Sequence, residues 1–125
     1  MKKNNYFRGD LWFQRQVDQR TRESLRKQEA IFERDHQAET NEQLLQYVRN
    51  QAASLGFVPA AKEIIGGKYI SNRFGGWGNV LAAAHLQASS RTPPLFIHCK
   101  LYKEEYRRQV DLFRKERNKN KTKRG

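Results

Sequence analysis

Glycine punctuation between positions 56 and 78 is the feature that most restricts how this chain folds. Six of the eight glycines lie there, two pairs of them adjacent, Gly66-Gly67 and Gly75-Gly76. Glycine enters left-handed backbone at little cost and is unfavourable inside helices and strands, so each pair marks a sharp reversal. The intervals hold short apolar pieces, which implies short helices turning around a small core. Charge is sparse from Gly56 to Leu86 and dense on both sides. The pattern predicts an all-α chain in which a helix-turn-helix-like unit is flanked by a long N-terminal helix and a basic C-terminal helix and tail.

Within the central unit, residues 40–86, element ends are readable one by one. Thr40 with Gln43 three residues on is a capping box, and Leu44, Val48, Ala52 and Leu55 then fall on one helical face that Leu45 widens. Gly56 stops this helix in a left-handed conformation, and Pro59 opens the next element. A short second helix is expected at Ala60–Ile65 with Ile64 and Ile65 inward. A third is expected at Lys68–Phe74, and a fourth at Trp77–Leu86 with Val80, Leu81 and Ala84 inside.

Leu55-Gly56-Phe57-Val58-Pro59, Arg73-Phe74-Gly75-Gly76-Trp77 and Leu81-Ala82-Ala83-Ala84-His85-Leu86 together resemble the homing-endonuclease-associated repeat, a small helical module. The likeness covers about residues 41–86 in a single copy. It implies a helix-turn-helix-like arrangement that binds DNA. Three positions depart from the family pattern. Gly76 replaces the serine that caps the last helix, His85 replaces the glycine that ends it, and the turn before the third helix is short. The last helix is therefore expected to run on or to end differently. Phe74 and Trp77 belong to the core, with base stacking by Trp77 as the alternative. The candidate DNA contacts are Lys62, Lys68, Tyr69, Ser71, Asn72 and Arg73. Asn and Arg are the side chains that pair with adenine and guanine edges. Against this stand an ordinary polar helix face and a structural role for Arg73 packed on Trp77.

The flanks differ in charge. The net charge is +12, and residues 100–125 hold eleven Lys/Arg against four acids, so more than half of the excess lies there. Arg107, Arg108, Arg114, Lys115, Arg117, Lys119, Lys121, Lys123 and Arg124 are the expected phosphate contacts. Such a segment adds salt-sensitive affinity without sequence choice; a merely solvated, ragged helix end is the alternative. Residues 117–125 are expected to be disordered in isolation. Residues 1–9 are expected to be loose, with Asp10 capping a long helix from Leu11. That helix lacks Gly and Pro from Arg15 to Glu39, and its apolar positions Val17, Leu25, Ala30, Ile31 and Phe32 are thin and irregular. It is either mostly solvated or packed on a partner. Nine Lys/Arg against seven acids in residues 1–39 argue that it is not the main basic surface. Residues 87–99 read as a linker whose Leu95-Phe96-Ile97 patch docks on the core.

Catalytic signatures are missing. His36, His85 and His98 are scattered, and the single cysteine, Cys99, has neither a second cysteine nor a histidine at ligand spacing, so no metal site and no cofactor are expected. The glycine pairs match no phosphate-cradling loop, and no nuclease motif is present. The lone cysteine fits a reducing cytoplasm, and no run is long and apolar enough to span a membrane. The leading expectation is a non-catalytic, cytoplasmic DNA-binding protein, regulatory in role. Its rivals are an RNA- or ribosome-associated basic protein and a protein-interaction adaptor. A homodimer or protein partner through the N-terminal helix is compatible with each.

Overall fold

The computed structural model describes the backbone of residues 3–124 and the side chains of residues 11–119. Among the described residues there are five α-helices: α1 (Lys3–His36), α2 (Asn41–Leu55), α3 (Gly67–Phe74), α4 (Trp77–Ala83) and α5 (Lys100–Arg124). Single 3-10 turns stand at Ala61–Glu63 and Phe96–His98, and no strand occurs among the described residues.

The central unit forms around Phe32, Leu44, Leu45, Val48, Ile70, Val80 and Ala84, with Phe74, Trp77 and Leu86 packed on it. Leu44, Val48, Ile70 and Val80 are completely buried, and each such side chain contributes about 1.5–3 kcal/mol. Trp77 turns its ring to this core and donates its indole N–H to the Pro59 carbonyl at 3.0 Å, so it is a packing residue. The predicted capping box is complete: Thr40 Oγ1 accepts the Gln43 N–H at 3.1 Å, and Gln43 Oε1 accepts the Thr40 N–H at 2.8 Å. Gly56 and Gly75 close α2 and α3 with φ of 83° and 80°.

α4 ends where the sequence lacks its glycine. His85 itself takes φ 60°, and the Leu86 and His85 amides bond to the Leu81 and Ala82 carbonyls at 2.9 and 3.1 Å. This is a Schellman closure with histidine in the left-handed position. Arg49 Nε adds a bond to the Ala84 carbonyl at 3.0 Å, placing a cation at the helix's negative end. Helix α4 thus does not run on.

Four other segments differ from expectation. The second helix shrinks to the 3-10 turn at Ala61–Glu63, because Ile64 is already extended and too few residues remain before Gly66 to nucleate a helix. Buried Glu63 holds this turn: it accepts the Ala60 N–H at 2.8 Å and pairs with Arg91, whose guanidinium lies 3.9 Å from the Phe57 ring centroid. Helix α1 begins at Lys3, ahead of Asp10. Helix α5 runs through Arg124 and so takes in the residues expected to form a loose tail; no Gly or Pro interrupts it. In the linker only Phe96 of the 95–97 patch packs inward, and Leu95 and Ile97 stay exposed.

Helix α1 is anchored twice. Its C-terminal end inserts Phe32 into the central core. Its middle packs antiparallel on α5: Phe13 stacks on Phe113 at 5.4 Å, Ser24 donates to Glu105 at 2.8 Å, and Leu25 clusters with Cys99 and Tyr102. Val17, Thr21 and Leu25 form one buried row at spacings of four. Thr21 is tolerated there because its hydroxyl donates to the Val17 carbonyl at 2.7 Å. Ile65 touches both clusters and joins them.

Candidate nucleic-acid interface

Where α1 passes the central unit, the two enclose a groove of about 500 Å³. Helix α1 supplies Arg22, Leu25, Arg26 and Glu29 at near-four spacings, hence from one face. The 3-10 turn supplies Ala61 and Lys62, followed by Ile65, and α3 supplies Lys68, Ser71 and Asn72. Phe96 and Leu101 close the far side. Four cations and one carboxylate therefore meet at an apolar-floored cleft.

Two glycines set the depth of this cleft. A Cβ on Gly67 would stand 1.9 Å from the Ala61 carbonyl oxygen, so only glycine lets α3 begin against the 3-10 turn. A Cβ on Gly66 would meet the Phe32 ring at 2.4 Å, and the Gly66 N–H donates to Glu29 at 2.8 Å. α1 is thereby held to the start of α3. Burial raises the Glu29 carboxyl above its usual range, against the pull of the Gly66 amide and the Lys68 ammonium. Behind it, burial and the Glu29 charge push the Tyr47 phenol up to about 12, so Tyr47 stays a hydrogen-bond donor to the Ile65 carbonyl.

The cations are not equivalent. Arg22 chelates Asp18 through Nε at 3.0 and 3.1 Å, and its guanidinium lies 5.7 Å from the Phe96 centroid. Arg26, Lys62, Lys68 and Asn72 are exposed, and Ser71 is half-buried.

Of the six module residues expected from sequence, Lys62, Lys68, Ser71 and Asn72 share this groove. Tyr69 and Arg73 sit on the adjoining face of α3. Tyr69 is half-buried against Phe32 at 6.4 Å. Arg73 is bonded to the Asn41 side chain at 3.0 Å, the Glu39 carbonyl at 2.6 Å and the Tyr69 hydroxyl at 3.2 Å. It ties α3 to the start of α2, and Trp77 is not among its hydrogen-bond partners.

The basic helix divides likewise. Lys103, Arg107, Arg114 and Arg117 follow one stripe of α5, and Arg108, Lys115 and Lys119 follow another, on either side of buried Tyr102, Glu105 and Gln109. Arg108 is committed to Glu105, with Nε and Nη2 at 3.1 and 2.5 Å. Arg114 lies 5.6 Å over the Phe13 ring, and Arg107, Lys115, Arg117 and Lys119 are exposed. The side chains of Lys121, Lys123 and Arg124 lie outside the described residues.

Arg22 and Arg26 escaped the sequence reading because residues 1–39 are nearly neutral as a whole. The usable signal was local: Arg22, Arg26 and Glu29 at i, i+4 and i+7 beside buried Leu25.

Comparison with known families bears on the part of the chain that forms α2 to α4. Residues 39–87 match the homing endonuclease associated repeat. The repeat occurs once and covers less than half of the chain, and it begins at Glu39, whose carbonyl Arg73 grips. Its end, Gln87, follows the His85 closure directly, so its limits coincide with the structural limits of the α2–α4 unit. The flanking α1 and α5 lie outside it. No curated protein and no solved structure matches the chain. Among the described residues no helix is long and apolar enough to cross a membrane.

Proposed function

We propose that the protein is a non-catalytic DNA-binding protein that uses the groove between α1 and the repeat as its principal contact surface and the basic stripes of α5 as a phosphate anchor. The observation that supports this most is the convergence of Arg22, Arg26, Lys62 and Lys68 on one cleft, next to the outward Ser71 and Asn72 of α3. Exposed cations, Arg26, Lys62 and Lys68, set around a helix that presents amide and hydroxyl groups provide phosphate positioning and base-edge reading side by side. The repeat family points the same way, being named for its association with homing endonucleases. A net charge of +12 supplies the long-range attraction for a polyanion.

The test is binding to a pool of random duplexes followed by selection. Wild-type protein is expected to enrich particular duplexes. A Lys62→Gln, Lys68→Gln, Asn72→Ala variant with an unchanged melting temperature is expected to lose that enrichment and at least tenfold in affinity. Unchanged affinity and enrichment in this variant would remove the groove from the reading. Retained binding to a protein partner but to no nucleic acid would favour the adaptor.

A further inference from the structure

The floor of the groove is too apolar for a site that meets only phosphates and paired bases. Leu25, Ile65, Phe96 and Leu101 line it, while the cations stand on its rim. Phosphate oxygens gain nothing from such a surface, and stacked bases present to a protein mainly polar edges, with the thymine methyl as a small apolar exception that does not fill a floor of four apolar side chains. A base that has left the stack offers two apolar faces and one polar edge. We infer that this groove receives an unstacked nucleobase, so that the preferred ligand is duplex DNA with an unpaired or extruded nucleotide rather than a fully paired duplex. The inference rests on the DNA-binding reading and specifies which form of DNA that site selects.

Three observations converge on it. The cavity of about 500 Å³ is in the range of small-ligand pockets and ample for one nucleotide. Its wall combines the Phe96 ring with the Arg22 guanidinium, 5.7 Å from the ring centroid, and both are planar groups on which bases stack. Around this wall the polar atoms are mixed: Ser71 and Asn72 donate and accept, and the Glu29 carboxylate accepts, which matches a base edge. Arg26, Lys62 and Lys68 on the rim suit the phosphates on either side of the displaced nucleotide.

The experiment compares two duplexes of one sequence, one fully paired and one carrying a single bulged 2-aminopurine, with the full-length protein. The expected result is roughly tenfold or tighter binding of the bulged duplex, with a change in 2-aminopurine fluorescence on binding. Ser71→Phe and, independently, the more exposed Asn72→Phe fill the groove. Each is expected to bring the ratio of bulged-duplex to paired-duplex affinity down to about one, whatever the loss in absolute affinity. Equal binding of the two duplexes by the wild type overturns the inference and leaves the DNA-binding reading in place. A preference that survives both substitutions overturns it as well, as does a preference confined to bulged RNA. Failure to bind either duplex at low salt refutes the DNA-binding reading, and the inference with it.

Discussion

His85 occupies a left-handed position that a side chain reaches only at a cost of roughly 1–2 kcal/mol. Glycine there removes that strain but gains freedom in the unfolded chain, which returns part of the benefit. His85→Gly is therefore expected to stabilise the protein by about 0.5–1 kcal/mol in urea unfolding. An unchanged or lowered midpoint would show that the imidazole itself supports the α4 end. Gly67 is the opposite case. Its φ is ordinary, but the space for a Cβ is filled by the Ala61 carbonyl. Gly67→Ala is expected to cost about 3 kcal/mol or more, because backbone must move to admit the methyl group. Gly66→Ala adds a positive φ to a clash with Phe32 and should fare no better. Gly76 at φ 143° has an open surround, yet its backbone lies outside the range that serine adopts readily. The family's serine is therefore incompatible with the entry to α4 as it stands.

At the scale of elements, the α1–α5 pair is fastened by a buried carboxylate. Glu105 is taken from water, which alone would raise its pKa, but Arg108, Gln109 and Ser24 donate to it and together hold it at about 2. A carboxylate depressed in the folded state adds stability in full above its unfolded value near 4.5, and that stability is lost as pH falls toward 2. Glu105→Gln is accordingly expected to be less stable than wild type by about 2–3 kcal/mol at pH 7. The gap should narrow between pH 4.5 and 2. Denaturant titrations at pH 7, 4.5, 3 and 2.5 read this directly, and a gap independent of pH would place the effect in packing instead. The same pairing explains the threonine in the buried row of α1. Thr21 leaves the apolar periodicity incomplete, yet its satisfied hydroxyl allows α1 to lie flush on α5.

For the molecule as a whole, the proposed DNA-binding reading predicts separable contributions from the two cationic regions. Each phosphate contact that is lost lowers the dependence of log K on log salt by roughly one unit. Removing residues 118–125 deletes four cations beyond the Arg20–Glu116 pair, which is bonded at 2.7 Å and remains intact. Truncated protein is expected to bind all duplexes more weakly, with a shallower salt slope and an unaltered order of preference. Arg26→Gln is expected to reduce the slope by about one unit and to change that order as well, because Arg26 stands at the groove with Asn72. Salt titrations with one favoured and one unfavoured duplex distinguish the two patterns. Equal, sequence-independent losses from both changes would assign the groove cations to anchoring alone.

Local features of this protein were legible in the chain without its structure. The Thr40–Gln43 box, the left-handed Gly56 and Gly75, the inward Leu44, Val48 and Val80, and the limits of the repeat all depend on residues within a few positions of one another, whose backbone preferences and spacing are visible directly. The groove was not legible. Arg22 and Arg26 come beside Lys62 and Lys68 only because Phe32 is seated in the central core against Gly66, and because Leu25 meets Cys99 and Tyr102 from the other end of the chain. Those contacts join segments tens of residues apart, and burial at such separations leaves no local period. The split of α3 into a groove face with Lys68, Ser71 and Asn72 and a structural face with Tyr69 and Arg73 has the same origin. Helix geometry distinguishes the two faces, but the placement of α1 and the start of α2 decides which one is left to meet a ligand.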